Sequence, residues 1–282
     1  MAVKNLNGKR CLITGAASGI GRATALAAGA KGADLFLTDI NEEGLATVAS
    51  EIGEKGGTVS YLCAADISDH NAVVALAADI HAAHPSMDVV MNIAGVSTWG
   101  TIDRLEHRDW RKMIDINLMG PISVLESFVA PMIEAGRGGH IVNVSSAAGL
   151  FGLPWHAAYS ASKFGLRGVS EVLRFDLRRH NIGVSLVCPG AVRTPLIGTV
   201  EIRGVDRQSP TVEGLVRGFE KRAVDPEHVA KKILNGIERN RYMVFTSADI
   251  KLVYWLQRKF ALPYELIMRL LNDRLTTIFD QP

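Results

Sequence analysis

Short apolar runs alternate with helix-like segments along most of the chain. The runs are rich in Val, Leu and Ile and lack polar alternation, which is typical of parallel strands covered on both faces. Seven strands are predicted, at 9–14, 33–39, 58–64, 87–92, 140–145, 183–189 and 242–246. Strand–helix alternation of this kind predicts an α/β fold, a single doubly wound Rossmann domain with a parallel, seven-stranded sheet and helices on both faces.

The intervals between the runs have helical periodicity and ordinary helix ends. Gly32 follows the first helix, where glycine commonly ends a helix, and Pro121 stands in a first turn. The predicted helices are 19–31, 41–55, 69–84, 103–118, 121–135, 157–180 and 226–239. Residues 193–222 are instead rich in Gly, Arg, Thr and Pro. Because long irregular segments at such a position are usually functional, we expect a substrate lid there.

The chain continues past its last predicted strand. We therefore divide it into an α/β domain, 1–248, and a C-terminal helical extension, 249–282. An apolar stripe with i, i+3, i+4 spacing runs along the extension, and it consists of Tyr264, Ile267, Met268, Leu271, Leu275 and Ile278. The favoured interpretation is a helix packed on its own domain or on a neighbouring subunit. A helix lying on a membrane surface is the alternative, which the small net charge of the tail disfavours.

Composition narrows the classes of function. The net charge is +2, from 31 basic and 29 acidic residues, and 6% of residues are aromatic, so nothing indicates a nucleic-acid partner. The three cysteines are far apart in apolar runs, which excludes a C-x-x-C metal or redox pair, and no metal is expected. Buried, reduced cysteines, a polar N-terminal stretch and the lack of 18 consecutive apolar residues predict a cytoplasmic protein without signal peptide or transmembrane helix.

A glycine-rich turn directly follows the first predicted strand. The stretch TGAASGIG, 14–21, places Gly15, Gly19 and Gly21 between that strand and the first helix. Such a turn lets the backbone approach a pyrophosphate while the helix N-terminus directs its free N–H groups at it. Ser18 adds a hydroxyl donor. A turn that only packs strand against helix is the alternative, and the position at the start of an α/β chain favours nucleotide binding.

Acidic and small residues follow the next strands. Asp39 closes the second strand, where a carboxylate accepts hydrogen bonds from the adenosine ribose and repels a 2′-phosphate. Ile40 supplies no cation to such a phosphate, so the sequence predicts NAD over NADP. Asp39 as a helix cap is the alternative, a role that Asn41 can also fill. Asp66 and the stretch NIAG, 92–95, extend the same sheet edge, and we expect Asp66 to bind the adenine amino group.

These motifs together resemble the short-chain dehydrogenase/reductase family. They are TGAASGIG, Asp39, DIS at 66–68, NIAG, Asn117, GGHIVNVSSAAG at 138–149, YSASK at 159–163 and CPGAVRT at 188–194, in the family's order and spacing. Ile93 departs from the family's usual N-N-A-G, and we expect it to cause local repacking without loss of activity.

The resemblance implies a catalytic tetrad of Asn117, Ser146, Tyr159 and Lys163, with Ser145 as the second candidate for the serine. Tyr159 and Lys163 are four residues apart, on one face of a helix. A free phenol has a pKa of about 10, and a nearby cation lowers it. Lys163 is therefore expected to turn Tyr159 into an acid/base, while Ser146 holds the substrate oxygen and Asn117 anchors a water in a proton path.

The resemblance also implies which residues bind NAD. Thr194 is expected to hold the nicotinamide carboxamide, and Lys163 the nicotinamide ribose. The full expected set is Gly15, Ser18, Gly19, Ile20, Gly21, Asp39, Ile40, Asp66, Ile67, Asn92, Ala94, Gly95, Tyr159, Lys163, Pro189, Gly190, Val192 and Thr194.

Three segments are expected around the substrate, at 96–100, 150–156 and 193–222. Their apolar residues predict a hydrophobic alcohol or ketone, and His156 is interpreted as a pocket wall. The expected substrate contacts are Trp99, Ser146, Phe151, Leu153, Trp155, His156 and Tyr159.

The sequence therefore predicts an NAD-dependent oxidoreductase of a hydrophobic secondary alcohol or ketone, with residues 1–248 as the dinucleotide-binding catalytic domain. The resemblance implies a homodimer or homotetramer built on the helices at 103–135 and 157–180. A non-catalytic NAD(H)-sensing regulator is one alternative, but such proteins typically lack the Tyr or the Lys. An epimerase or dehydratase is another, but those usually carry T-G-x-x-G-x-x-G.

Overall fold

Seven parallel strands form the central sheet of the protein. The computed structural model describes residues 3–205, 213–214, 217–218 and 221–279. The strands are β1 Arg10–Thr14, β2 Asp34–Asp39, β3 Thr58–Ala64, β4 Val89–Asn92, β6 Gly139–Val144, β7 Ile182–Cys188 and β9 Met243–Phe245. They lie in the order β3-β2-β1-β4-β6-β7-β9, in which the chain starts at the centre, runs to one edge and then crosses to the other. All seven predicted strands and the doubly wound fold are confirmed.

Helices cover both faces of this sheet. They are α1 Gly19–Gly29, α2 Glu42–Glu54, α3 His70–Ala83, α4 His107–Ile114, α5 Gly120–Glu134, α6 Ala157–Asp176, α7 Pro195–Thr199, α8 Pro226–Glu238, α9 Ala248–Lys259 and α10 Ala261–Phe279. Successive strand residues point to opposite faces, so Cys11 and Ile13 of β1 pack with α1, α2 and α8. Leu12 packs with α3, α5 and α6 on the other face.

The edge strand β3 differs from the prediction that every strand is buried on both faces. Its residues alternate between exposed and half-buried, and Cys63 is therefore half-buried, whereas Cys11 and Cys188 are buried. The reason is its position: β3 has a neighbour, β2, on one side only. The other two thiols pack in the core as predicted.

The two predicted helices around Pro121 are joined into one continuous helical stretch. A π-helical turn, Asp115–Met119, connects α4 to α5, and Pro121 lies in the first turn of α5. The stretch His107–Glu134 is long enough to span a membrane and contains an 18-residue window with mean hydropathy 1.4. Of that window 44% is buried inside the protein, and Val124 and Phe128 are among the residues that pack in the core against the sheet.

The tail helices α9 and α10 pack on the domain through part of the predicted stripe. Tyr264 and Met268 join a cluster with Leu186 and Cys188 of β7, and the Tyr264 hydroxyl accepts a hydrogen bond from the Gly152 N–H at 3.1 Å. Leu275 packs near the end of α10 against a second cluster around Trp155. Ile267 is exposed, and the side chain of Ile278 lies outside the described residues.

Two short strands that the sequence did not predict connect the substrate-side segments. β5, Thr98–Trp99, and β8, Glu201–Ile202, pair in parallel, and the Arg203 N–H donates to the Trp99 carbonyl at 2.8 Å. This pair joins the beginning of the expected lid to the 96–100 segment. Residues 206–212, 215–216 and 219–220 of the expected lid lie outside the described residues.

Candidate active site

The glycine-rich turn between β1 and α1 has no room for side chains. A Cβ on Gly21 would lie 1.8 Å from the Gly15 carbonyl oxygen, and a Cβ on Gly15 would lie 2.7 Å from Ala94 Cα. Gly15 and Gly19 also have positive φ, at 69° and 50°, which favours glycine. Backbone N–H groups at the start of α1 thus remain accessible to a ligand, and the turn fits a pyrophosphate.

Thr194 lies over the same turn. A Cβ on Gly19 would lie 3.0 Å from the Thr194 methyl carbon, so the residue expected at the nicotinamide carboxamide is a close neighbour of the turn expected at the pyrophosphate. Ser18 stands at the N-cap of α1, and its side chain makes no capping hydrogen bond. Its hydroxyl is therefore not committed to the helix that it precedes.

Asp39 is fixed beside this turn by two main-chain donors. One carboxylate oxygen accepts from the Ala17 N–H at 3.0 Å and the other from the Asn41 N–H at 3.0 Å. Asn41 itself caps α2 by accepting from the Gly44 N–H at 3.0 Å. The helix-cap role therefore belongs to Asn41, and Asp39 holds the glycine turn. Ile40, next to it, is 73% exposed.

The other strand ends divide into exposed and buried positions. Asp66 is exposed and accepts from the Ser68 N–H and hydroxyl, at 2.9 and 2.7 Å. Asn92 is buried and donates to the Asn143 side chain at 2.9 Å inside the sheet. Ile67 is also buried, against α5. The structure thus leaves only main-chain atoms of Ile67 and Asn92 for a ligand.

Ile93, which departs from the family's usual Asn, is buried at the end of β4. Its side chain joins the core, and its N–H donates to the Thr14 hydroxyl at 3.1 Å. The same hydroxyl accepts from the Ala94 N–H at 3.2 Å. These bonds tie the end of β4 to the end of β1 next to the glycine turn.

Tyr159 and Lys163 lie on one face of α6, close to the end of β6. The Lys163 amine lies 5.8 Å from the centre of the Tyr159 ring and donates to the Val144 carbonyl at 3.0 Å. Burial lowers the pKa of Lys163 to about 8. Burial also raises the pKa of Tyr159, against the opposing effect of its hydrogen bond with Ser146. The pKa of Tyr159 is therefore raised overall, the opposite of the lowered pKa that was expected beside Lys163.

The two adjacent serines point in different directions. The Ser145 hydroxyl donates to the Lys163 main-chain carbonyl at 3.0 Å, which uses it to pack β6 against α6. Ser146 instead hydrogen-bonds the Tyr159 phenol and accepts from the Ala148 N–H at 3.1 Å. The geometry therefore brings Ser146, and not Ser145, to Tyr159.

Asn117 lies in the π-helical turn and clamps the segment after β4. Its amide oxygen accepts from the Val96 N–H at 2.9 Å, and its amide nitrogen donates to the Val96 carbonyl at 2.9 Å. A Cβ on Gly95 would lie 3.0 Å from that amide oxygen and 3.3 Å from the Lys163 amine. Asn117, Gly95 and Lys163 therefore meet at one point, and π-turns are frequent at functional sites.

The end of β7 is fixed to the turn that carries Ser146. The Ala147 N–H donates to the Pro189 carbonyl at 2.8 Å. Gly190 lies under the tail, since a Cβ there would be 3.1 Å from the Ile250 side chain. Val192 is buried and forms a parallel bridge with Val224. The CPGAVRT stretch is thus held between the turn at Ser146 and Ala147 and helix α9.

Aromatic groups form the wall beside Tyr159. The His156 ring lies 4.4 Å from the Trp99 ring and 6.3 Å from the Tyr159 ring, between centroids. Its Nδ1 contacts the Pro154 carbonyl at 2.6 Å, and burial lowers its pKa to about 4. The ring is therefore uncharged at neutral pH, as a wall requires. Trp155 is buried with Val200 and Ile202 on the β8 side.

Two residues expected at the substrate lie elsewhere. Phe151 is buried against Leu186 and Cys188, and Leu153 packs on the same cluster. That cluster is covered by the tail helices, not by the Trp99–His156 wall. Leu150, Phe151 and Leu153 thus face the tail side, whereas Trp155 and His156 face the Trp99 side, a division that the composition of the segment did not indicate.

Sequence reasoning missed a buried ion pair beneath the β5–β8 pair. Asp109 accepts from the Arg203 side chain, with distances of 3.0 Å from Nε and 2.6 Å from Nη2, and from the Glu106 N–H at 2.9 Å. Glu106 and Asp109 have the spacing of a helix-capping box, which could have indicated that Asp109 is engaged. No local signal connects it to Arg203.

Known proteins resemble this arrangement in sequence and fold. Residues 9–202 match the short chain dehydrogenase family. A putative oxidoreductase, SadH, of Mycobacterium tuberculosis is 33% identical over 268 residues, or 93% of this chain and 95% of that protein. A short-chain dehydrogenase/reductase of Burkholderia phymatum in complex with NAD has a TM-score of 0.82 at 28% identity, over 90% and 94% of the two chains. A metagenomic short-chain oxidoreductase in complex with NADP has a TM-score of 0.68 at 32% identity, over 85% and 96%.

Proposed function

Because the chain belongs to the short-chain dehydrogenase/reductase family, we propose that this oxidoreductase transfers a hydride between NAD(H) and a hydrophobic secondary alcohol or ketone. One observation carries the proposal: the Tyr159 phenol, the Ser146 hydroxyl and the Lys163 amine converge at the end of β6. They lie at the same sheet edge as the glycine turn, where ligands of doubly wound folds bind.

Tyr159 is the proposed acid/base. A carbonyl that gains a hydride at carbon needs one proton at oxygen, and the phenol O–H supplies it. In the reverse direction the phenolate takes the proton of the alcohol. The raised pKa of Tyr159 favours the protonated, donating form, while the hydrogen bond with Ser146 favours the phenolate. Ser146 also holds the substrate oxygen in reach. Bound nicotinamide supplies or accepts the hydride.

Lys163 is proposed to supply a positive charge, and Asn117 is proposed to position the segment beside it. With a pKa of about 8, the Lys163 amine is largely charged at neutral pH, and it would hold the nicotinamide ribose. Asn117 fixes Gly95 and Val96 beside that amine, and its proposed role is to anchor a water in a proton path from Lys163 to solvent. Neither group needs to contact the substrate to affect turnover.

NAD is the proposed cofactor. The Asp39 carboxylate is held by the Ala17 and Asn41 N–H groups, so it cannot turn away without losing both bonds. A fixed negative charge there binds ribose hydroxyls and repels a 2′-phosphate. The exposed Ile40 offers no compensating cation. Gly15, Gly19, Gly21 and Thr194 would hold the pyrophosphate and nicotinamide parts.

The proposed substrate is uncharged and apolar. The wall beside Tyr159 consists of Trp99 and the neutral ring of His156, with buried Trp155, Val200 and Ile202 behind. None of these groups carries a positive charge that could form an ion pair with a carboxylate or a phosphate. Apolar contacts with few polar groups are typical of sites for hydrophobic small molecules.

The test is Tyr159→Phe, assayed against a panel of hydrophobic secondary alcohols with NAD. Reduced cofactor is followed by absorbance, and loss of the general acid/base should lower kcat by about 10²–10⁴-fold. Cofactor affinity, measured by titration, should change little. Tyr61→Phe is the matched control, because that hydroxyl lies on β3, 3.5 Å from Asp79. Wild-type turnover by Tyr159→Phe would refute the assignment. Tight NADH binding without turnover of any alcohol or ketone would favour the regulator.

A further inference from the structure

The tail helices expose an unusual number of large apolar side chains. Of the fifteen exposed large hydrophobic residues in the part of the chain that the structure describes, seven lie between positions 252 and 270. They are Leu252, Trp255, Phe260, Leu262, Leu266, Ile267 and Leu270, each between 42% and 79% exposed. We call these seven residues the tail surface. Exposed apolar clusters of this kind usually mark an interaction site.

Packing on the domain does not explain the tail surface. The domain-facing side of α10 carries Tyr264, Met268 and Leu275. Leu262, Leu266 and Leu270 recur every four residues on the other side and so form a second stripe. An ordinary surface helix is apolar on one face only. Because α10 is apolar on two faces and the domain covers one, the second face needs another apolar environment.

Basic residues border the tail surface. Lys251 and Lys259 lie four residues on either side of Trp255, and Arg258 and Lys259 end α9. Glu265 is paired with Arg269 at 2.5 Å. Residues 249–282 carry five cations against four carboxylates; they are Lys251, Arg258, Lys259, Arg269 and Arg274 against Asp249, Glu265, Asp273 and Asp280. Long basic side chains can extend from an apolar surface to anionic headgroups, and indole rings prefer the headgroup level.

We propose that the tail surface lies in the interface of a membrane that contains anionic lipids. The helices are about 18 and 28 Å long at 1.5 Å per residue, enough to form a platform that enters the headgroup region without crossing it. A second copy of the chain fits less well, because a two-fold contact presents the same patch on both sides. That arrangement brings two sets of the same cations into one contact, whereas anionic headgroups complement them.

The tail surface also lies close to the proposed active site. The opposite side of α10 contacts Gly152 through Tyr264 and the Trp155 cluster through Leu275. A membrane against the tail surface would hold the Trp99–His156 wall near the bilayer, where hydrophobic molecules are concentrated. Membrane binding itself does not depend on the proposed reaction.

The experiment is co-sedimentation of the full-length protein with vesicles, without substrate or cofactor. Vesicles of phosphatidylcholine alone are compared with vesicles that also contain phosphatidylserine. We expect binding to the anionic vesicles that weakens as salt rises. The triple variant Leu262→Gln/Leu266→Gln/Leu270→Gln should bind at least about tenfold more weakly. Val74→Gln/Ile102→Gln is the matched control, since both residues are exposed outside the tail, and it should bind as the wild type does.

Thermal unfolding and light scattering complete the test. The three leucines are exposed, so the triple variant should melt and assemble as the wild type does. Failure of the wild type to sediment with anionic vesicles would overturn the proposal. A triple variant that sediments with anionic vesicles as the wild type does would also overturn it. So would a triple variant that forms smaller oligomers when the wild type does not bind lipid, and that result would indicate a second copy as the occupant.

Discussion

Replacing Arg203 with alanine would leave the buried Asp109 carboxylate without its cationic partner. Asp109 is 1% exposed, and without Arg203 it keeps only the hydrogen bond from the Glu106 N–H. Removing one partner of a buried pair in this way costs about 3–5 kcal/mol. Asp109→Ala should cost less, about 1.5–3 kcal/mol, the range for hydrogen bonds to charged groups. The reason is that Arg203 is 26% exposed and retains Glu201 at 3.0 Å.

The double variant Asp109→Leu/Arg203→Met removes both charges together. Replacing a buried pair by apolar residues is often neutral, so the double variant should be more stable than Arg203→Ala. An Asp109→Ala/Arg203→Ala cycle should give a coupling free energy within the usual range of about 0.5–3 kcal/mol for residues in contact. Coupling indistinguishable from zero would mean that the two groups are stabilised independently.

Urea unfolding at fixed protein concentration measures these differences in the free energy of unfolding, and thermal unfolding measures the melting temperatures. At about 2 °C per kcal/mol for a chain of this size, Arg203→Ala should melt roughly 6–10 °C below the wild type. Burial alone would raise the pKa of Asp109, but the Arg203 and Glu106 bonds outweigh it and lower the pKa below 3.8. The pair's contribution is therefore complete above about pH 4 and is lost as pH falls through the lowered pKa. A loss below about 1 kcal/mol at pH 7 would refute this reasoning.

Two further predictions concern the cofactor side. Gly21→Ala should abolish cofactor binding, measured by NADH fluorescence, because its Cβ would lie 1.8 Å from the Gly15 carbonyl. Gly53→Ala, in open space within α2, is the control and should stabilise by about 0.5–1 kcal/mol; a Gly21→Ala variant that still binds would contradict the fit. Asp39→Ala/Ile40→Arg should raise NADP affinity and lower NAD affinity in titrations, and an unchanged preference would show that Asp39 does not face the ribose.

Local patterns sufficed for the sheet, and the motifs shared with the family indicated the residues expected at the site. Buried strands are recognised in the sequence as apolar runs. The Tyr159–Lys163 spacing places both residues on one face of any α-helix. Side-chain direction was harder to predict. Ser145 and Ser146 differ only in which way a strand residue points, and Phe151 turned toward the tail core while His156 faced Tyr159.

Long-range contacts account for the rest of what the sequence did not reveal. The pKa of Tyr159 depends on its burial and on its hydrogen bond with Ser146, and the Lys163 amine donates to the Val144 carbonyl. The β5–β8 pair and the Asp109–Arg203 contact join residues with no local signal for each other. Only one apolar stripe of α10 was evident, because the second is offset around the same helix.

The β5–β8 pair also affects the order in which the protein assembles. Between Trp99 and Glu201 the chain must complete α4, α5, β6, α6 and β7, and closing so long a loop costs entropy that two-residue strands barely offset. The pair should therefore form after the main sheet during folding and open before it, as a separate low-stability unit. The aromatic wall depends on this pair, whereas the glycine turn does not. A partly folded chain would then have its nucleotide turn before it has a place for substrate.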